Sequence, residues 1–237
     1  MASEMLVGFT PEPGVGNTLA ILRAEVGGEA VGRLLATSHR RTAYAGDVLI
    51  HIGQSRRVGL LLHGLLKAVA CFPDGQNPTV QYLEDGAFYG LSTLFHPASM
   101  SIRAVRTSTV VELDGPTVVR VAHDFPAFVW FVARDLAATV LRLPGTVEDF
   151  GFRTVRERVA AHLIRLSNAG DAPGFPVAHI THEALADAVG SVREVVSRSL
   201  RSLSEERLVA IGPRAVYILD EARLARVAAR LDGDCRT

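Results

Sequence analysis

Residues 181–209, THEALADAVGSVREVVSRSLRSLSEERLV, restrict the fold more than any other stretch of the chain. Thr181 is placed to cap a helix whose third position is Ala184, and Glu183 in the first turn favours the positive end of that helix's dipole. Ala186, Gly190 and Val196 follow in the order that a helix-turn-helix requires. The small residue lets two helices cross closely, the glycine accepts a left-handed turn, and the branched residue fills the angle between the helices. A hairpin is expected directly afterwards, LVAIG-PR-AVYILD, with its turn at Gly212-Pro213-Arg214. That order reads as a winged helix-turn-helix.

The second helix of this unit has two faces. Val195, Val196, Leu200 and Leu203 supply apolar residues for packing, while Arg193, Glu194, Ser197, Arg198 and Arg201 are left outside. Arginine near a helix start bonds guanine O6 and N7 in the major groove, and glutamate accepts from a cytosine amino group. The later arginines are in reach of base or phosphate. In isolation the same stretch would read as an amphipathic surface helix with solvated charges. Its place after Ala186 and Gly190 and before a wing favours double-stranded DNA as the partner.

The bulk composition neither helps nor opposes this reading. The chain has 237 residues, a hydrophobic fraction of 48% and no net charge, so two modest domains fit and any DNA-binding face has to be local. From residue 151 onward, 13 arginines face 11 acidic residues, a slight positive excess. Cys71 and Cys235 are the only cysteines, which excludes a disulfide framework and a four-thiolate metal or iron–sulfur site, and fits a reducing cytoplasm. Residues 1–17 carry Glu and Pro where a signal peptide needs basic and then apolar residues, and no 18-residue apolar stretch occurs, so neither export nor membrane spanning is expected.

Residues 18–37 place Leu19, Leu22, Val26, Val31 and Leu34 at helical spacing, interrupted at Gly27-Gly28, so one or two short helices are expected. Between residues 42 and 113, short β-rich runs alternate with turn signals such as Ala45-Gly46-Asp47, Gly64, Asp74–Pro78 and Asp85-Gly86, the texture of an antiparallel sandwich or roll. After Pro126 the spacing of Val129, Val132, Leu136, Val140 and Leu143 is helical, extended one turn earlier by Phe125 and Phe128. Such a stripe either packs on its own β domain or forms a seam between two subunits, and its coiled-coil-like period favours the seam. Pro144-Gly145 is expected to kink or end the helix and to mark a boundary near residues 144–153. A helix over about 153–167, a loop with Gly170, Pro173 and Gly174, a strand Val177–Ile180 and a last helix over 220–231 with Leu224, Val227 and Leu231 complete the reading.

On these residues the chain resembles the cyclic-AMP receptor protein and fumarate–nitrate regulator (CRP/FNR) family of bacterial transcription factors, over nearly its whole length. The resemblance is carried by Gly46-Asp47 before a strand, His63-Gly64 with Lys67, and Leu83-x-x-Gly86-x-Phe88-x-Gly90. The helix leading into Phe152 and, above all, Ser191-Val192-Arg193-Glu194-Val195-Val196-Ser197-Arg198 complete it. It implies an α+β fold: an N-terminal antiparallel β-roll of the cyclic-nucleotide-binding jelly-roll kind (residues 1–122), a long dimerisation helix and hinge (123–152) and the winged helix-turn-helix (153–237). It also implies base reading by Arg193, Glu194 and Arg198, a homodimer on a pseudo-palindrome with TGTGA-like half-sites about 34–36 Å apart, and RNA polymerase as a candidate partner. The full set of expected DNA contacts is Thr181, Ser191, Arg193, Glu194, Ser197, Arg198, Arg201 and Arg214.

The sensing region departs from the family pattern. Cyclic-AMP-binding members have F-x-G-E-L followed by R-S/T-A, the glutamate holding the ribose hydroxyl and the arginine the cyclic phosphate. Here Leu91 stands at the glutamate position in Phe88-Tyr89-Gly90-Leu91-Ser92, Ala98-Ser99-Met100 aligns with the arginine triplet, and Leu143-Pro144 aligns with an adenine-contacting Thr-Ser pair. A buried phosphate without a cationic partner is costly to desolvate, so cyclic AMP is disfavoured. The expected effector-pocket residues are Gly90, Leu91, Ser92, Ser99 and Leu143. No cofactor is predicted: residues 1–40 lack the oxygen sensors' cysteines, Phe88–Phe95 lacks haem-ligand Cys or His, and His63, Cys71 and His96 are stray residues for which a metal role is not expected. A module acting through protein partners and a ligand-independent regulator are the alternatives. With no nucleophile elbow, P-loop, metal-ligand pair or dinucleotide fingerprint, an enzyme is not expected.

Overall fold

The computed structural model describes residues 15–72, 77–168 and 176–229. The expected turn at Asp74-Gly75-Gln76, the loop residues Gly170, Pro173 and Gly174, and Leu231 and Cys235 lie outside the described residues, as does the side chain of Leu143. Contacts group the chain into two compact units, Met1–Ala68 with Tyr82–Val140 and Val69–Gln81 with Leu141–Thr237.

Two helices open the described chain, α1 (Val15–Val26) and α2 (Gly28–Ala36), separated at Gly27, whose φ of +97° no helical residue adopts. Eight strands follow: β1 (His39–Ala43), β2 (Val48–Ile50), β3 (Arg57–His63), β4 (Leu66–Val69), β5 (Thr79–Leu83), β6 (Phe88–Tyr89), β7 (Ser101–Ala104) and β8 (Ser108–Asp114), with a 3-10 turn at Leu91–Leu94. They form two four-stranded sheets, ordered β1-β8-β3-β6 and β2-β7-β4-β5, and every register resolved in the first is antiparallel. This is the expected β-roll.

Strand β3 explains why the sequence VGLLLH shows no alternation. Side chains of successive strand residues point to opposite faces, and here both faces are covered. Val58, Leu60 and Leu62 join Phe88, Val111 and Leu113 in a cluster with Leu22, Val26, Val31 and Leu34 of the first helices. Leu61, Tyr89 and Val110 turn the other way and pack with Ile50, Leu66, Ala68 and Ile102 of the second sheet.

A helix not anticipated from the sequence, α3 (Gly115–Asp124), follows β8. Asp114 caps it, accepting from the Thr117 amide at 2.9 Å and its hydroxyl at 2.7 Å, with Pro116 in the first turn. The next helix, α4 (Pro126–Gly151), does not end at Pro144-Gly145, one of the two outcomes expected there, but stays helical through both. The apolar stripe of α4 divides in two. Phe128 is buried, making edge-to-face contacts to Phe88 at 5.6 Å, with Phe131 at 6.2 Å from the same ring. Val129, Trp130, Leu136, Val140 and Leu141 are exposed on the single chain.

The second unit holds α5 (Val155–Asn168), β9 (Val177–Ala178), α6 (His182–Val189), α7 (Arg193–Glu205), β10 (Val209–Gly212), β11 (Ala215–Ile218) and α8 (Glu221–Ala228). Its sheet is ordered β10-β11-β9 with antiparallel pairs. Val159 and Leu163 of α5, Leu185 and Val189 of α6, Val196, Leu200 and Leu203 of α7 and Leu224 of α8 are all fully buried. Among the described residues no helix is long and apolar enough to cross a membrane.

Candidate nucleic-acid interface

The turn between α6 and α7 takes its shape from three residues. Thr181 caps α6, its hydroxyl accepting from the Ala184 amide at 3.1 Å. Gly190 ends the helix in the left-handed region at φ 61°, which brings the Ser191 amide to the Ala186 carbonyl at 3.0 Å. Ala186 and Val196 are buried at 3% and 0% exposure, as a close crossing of the two helices demands.

Val192 stands at the N-cap of α7 and offers no side-chain bond to the first-turn amides, so this helix start keeps its capacity for an anionic partner. Arg193, Glu194, Arg198 and Arg201 are exposed, Ser191 and Ser197 half-buried. Among the described residues none of these four charged side chains is ion-paired within the protein. The charges of α7 are therefore unneutralised from within. The opposite face of the same helix buries Val196, Ser199, Leu200 and Leu203, and Glu206 just beyond it meets Arg156 of α5 at 2.6 Å.

Sequence reasoning missed one contact here. His182 Nδ1 lies 3.0 Å from Ser197 Oγ, so the hydroxyl on the outer face of α7 is held by the first residue of α6. The wing is the β10–β11 hairpin, with Gly212 paired to Ala215 and Pro213-Arg214 at its tip. Arg214 is exposed and occupies φ +55°, a left-handed conformation that costs a non-glycine residue about 1 kcal/mol or more.

The expected effector residues fall as follows. Gly90 sits at φ 75°, and a Cβ there would lie 2.1 Å from the Arg57 carbonyl oxygen, so the turn tolerates glycine alone. Leu91 packs against the cluster that contains Phe88 and Phe128. Ser92 and Ser99 are exposed, while Ala98 is buried between the sheets. Thr93 ties this turn to β3, its hydroxyl accepting from the Arg57 amide and donating to the Arg57 carbonyl, each at 2.8 Å. Of the stray histidines and cysteine, His63 bonds Asp85 at 2.9 Å, and His96 and Cys71 are exposed.

The fold and the interface define a winged helix-turn-helix regulator with an attached β-roll. Residues 157–227 match the model of the Crp-like helix-turn-helix domain and residues 40–124 that of the cyclic nucleotide-binding domain. The chain is 32% identical over 193 residues to the transcriptional regulator LdrP of Thermus thermophilus, covering 80% of this chain and 96% of that one. It is 30% identical over 210 residues to the cyclic AMP receptor protein of the same species, covering 84% and 93%. Among solved structures, a CRP-family transcriptional regulator from Thermus thermophilus superposes with a TM-score of 0.65 at 28% identity, covering 79% of this chain and 96% of that one. A CRP/FNR-family regulator from Eubacterium rectale superposes at 0.73 with 20% identity, covering 87% and 97%. The chain belongs to the CRP/FNR family of transcription regulators. Its relatives are regulators and not enzymes.

Proposed function

We propose that the protein is a homodimeric, sequence-specific transcription regulator that reads a TGTGA-like pseudo-palindrome through α7 and is not controlled by cyclic AMP. The observation that carries the reading is the set of unpaired Arg193, Glu194 and Arg198 side chains on the outer face of α7, behind the left-handed turn at Gly190. Exposed Val129, Leu136 and Val140 on α4 supply the apolar seam that a second copy would cover. The case against cyclic AMP rests on Leu91, packed into the apolar cluster where the nucleotide-binding members carry a glutamate, and on buried Ala98 where they carry an arginine.

A gel-shift titration at several salt concentrations tests the DNA reading. The protein is expected to retard a TGTGA-type palindromic duplex more strongly than a scrambled duplex throughout the series, and equal affinity for both at every salt would sink specific readout. In parallel, cyclic AMP is expected to leave the melting temperature and the DNA affinity unchanged, and a saturable rise in melting temperature would refute that part alone.

A further inference from the structure

The interior of the roll opens, at the start of β3 and the end of β8, into a groove of about 520 Å³, a volume suited to a small molecule. Leu91, Ser92 and Ser99 do not line it. Its lining combines the apolar Leu49 and Ile50, the polar Tyr89 and Glu112, and the cationic Arg56 and Arg57. The register brings Tyr89, Glu112 and His39 together: Tyr89 pairs with Gly59, Gly59 with Glu112 and Glu112 with His39, a single row across the sheet. A Cβ at position 59 would stand 2.2 Å from both Cζ and Oη of Tyr89, so the missing side chain is what lets the ring lie across β3.

The Tyr89 hydroxyl is buried there without a hydrogen-bond partner, the residue being 4% exposed. Buried polar atoms are nearly always satisfied, and an exception calls for a reason. Burial pushes this hydroxyl far above its ordinary ionisation range, Glu112 adding to the effect and Arg41 opposing it, so it stays protonated and has a proton to donate. The charges around it are unequal in their commitments. Glu112 is paired with Arg41 at 3.3 Å, and Asp114 is held by Thr117 at the cap of α3. Among the described residues the guanidiniums of Arg56 and Arg57 have no ion-pair partner. Arg56 is also held at φ +56°, a conformation kept only where surrounding structure imposes it.

We propose that this groove binds a small organic carboxylate that carries a second oxygen, the carboxylate facing Arg56 and Arg57, the second oxygen accepting from Tyr89, and the hydrocarbon lying on Leu49 and Ile50. The groove adjoins the turn at Gly90, which abuts Ile50 and Arg57, but Leu91 and Ser92 are not among its lining residues. That its occupancy alters DNA affinity rests on the regulator reading above, whereas binding itself does not.

Calorimetric titration of the full chain without DNA, using succinate and malate as probes with butyrate and inorganic phosphate as controls, tests it. Either acid is expected to bind saturably and to raise the melting temperature, with Tyr89→Phe and Arg57→Gln each weakening binding at least tenfold. Tyr89→Phe removes the orphaned hydroxyl, so the unliganded melting temperature should hold or rise while the carboxylate-induced rise disappears, which separates lost binding from lost folding. Absence of saturable binding by both acids, undiminished affinity in either variant, or equally tight binding of butyrate or phosphate overturns the proposal. Because no DNA is present, each of these outcomes is independent of whether the protein reads a TGTGA-like site.

Discussion

His182 Nδ1 and Ser197 Oγ stand 3.0 Å apart, joining the start of α6 to the second turn of α7 on the side where α7 presents its charges. The bond commits one polar site of the Ser197 hydroxyl and leaves the rest for an outside partner. In a double-mutant cycle with His182→Ala and Ser197→Ala, followed by urea unfolding, the coupling is expected to be about 0.5–1.5 kcal/mol. Strict additivity would show that the contact contributes nothing in solution.

Arg193→Ala should cost about 1–3 kcal/mol of operator binding and relax selectivity at one base pair per half-site, because a bidentate arginine–guanine contact is read one base at a time. Fluorescence anisotropy against a set of singly substituted duplexes measures both quantities. A uniform loss over all sequences would instead mark Arg193 as a phosphate contact.

Gly190→Ala places a Cβ on a residue at φ 61°. The expected cost is about 1–2 kcal/mol of stability in denaturant unfolding. Operator affinity should fall as well, since this turn sets the angle between α6 and α7. Retained stability would mean that the turn relaxes into another conformation.

Arg214→Gly separates strain from contact at the wing. Glycine adopts the φ of +55° without penalty, so stability should rise by about 0.5–1 kcal/mol while affinity for specific and scrambled DNA falls by a similar factor. The salt slope of binding should also drop by about 1. Unchanged affinity with raised stability would remove Arg214 from the interface.

Asp114 titrates below the usual carboxylate range, chiefly through the Thr117 hydroxyl bond, then the Thr117 amide bond; desolvation opposes them, and Arg120 adds the least, in the lowering direction. A group whose folded pKa is depressed contributes stability above its unfolded value, near 3.9, and loses it as pH falls through the folded value. Wild-type protein should therefore lose part of its stability on acidification below about pH 4, and Asp114→Asn should flatten that part of the curve. Identical acid limbs in the two proteins would show that the cap of α3 is not coupled to pH.

The winged helix-turn-helix was legible because its constraints are positional: Thr181, Ala186, Gly190 and Val196 each answer a separate geometric demand within one short stretch. The roll was legible as strands and turns, but β3 gave no face, since both its sides are buried. Helix α3 escaped notice because only Val118 and Val121 mark its buried face beside the β-rich run before it, although Asp114-Gly115-Pro116-Thr117 is a recognisable capping sequence. At Pro144 the order of residues admits either a kink or an end, and the helix does not end there. The His182–Ser197 bond and the Tyr89–Gly59–Glu112 row depend on a helix crossing and on strand register, neither of which the order of residues displays by itself.

Strand β6 is two residues long, and its side chains face opposite ways: Phe88 to the rings of Phe128 and Phe131 on α4, Tyr89 to the lining of the groove. A rung this short has no slack in which one side chain could shift while its neighbour stays put. The thermodynamic signature is non-additivity: substitutions at 88 and 89, though the two side chains belong to different apolar clusters, should not behave as independent changes.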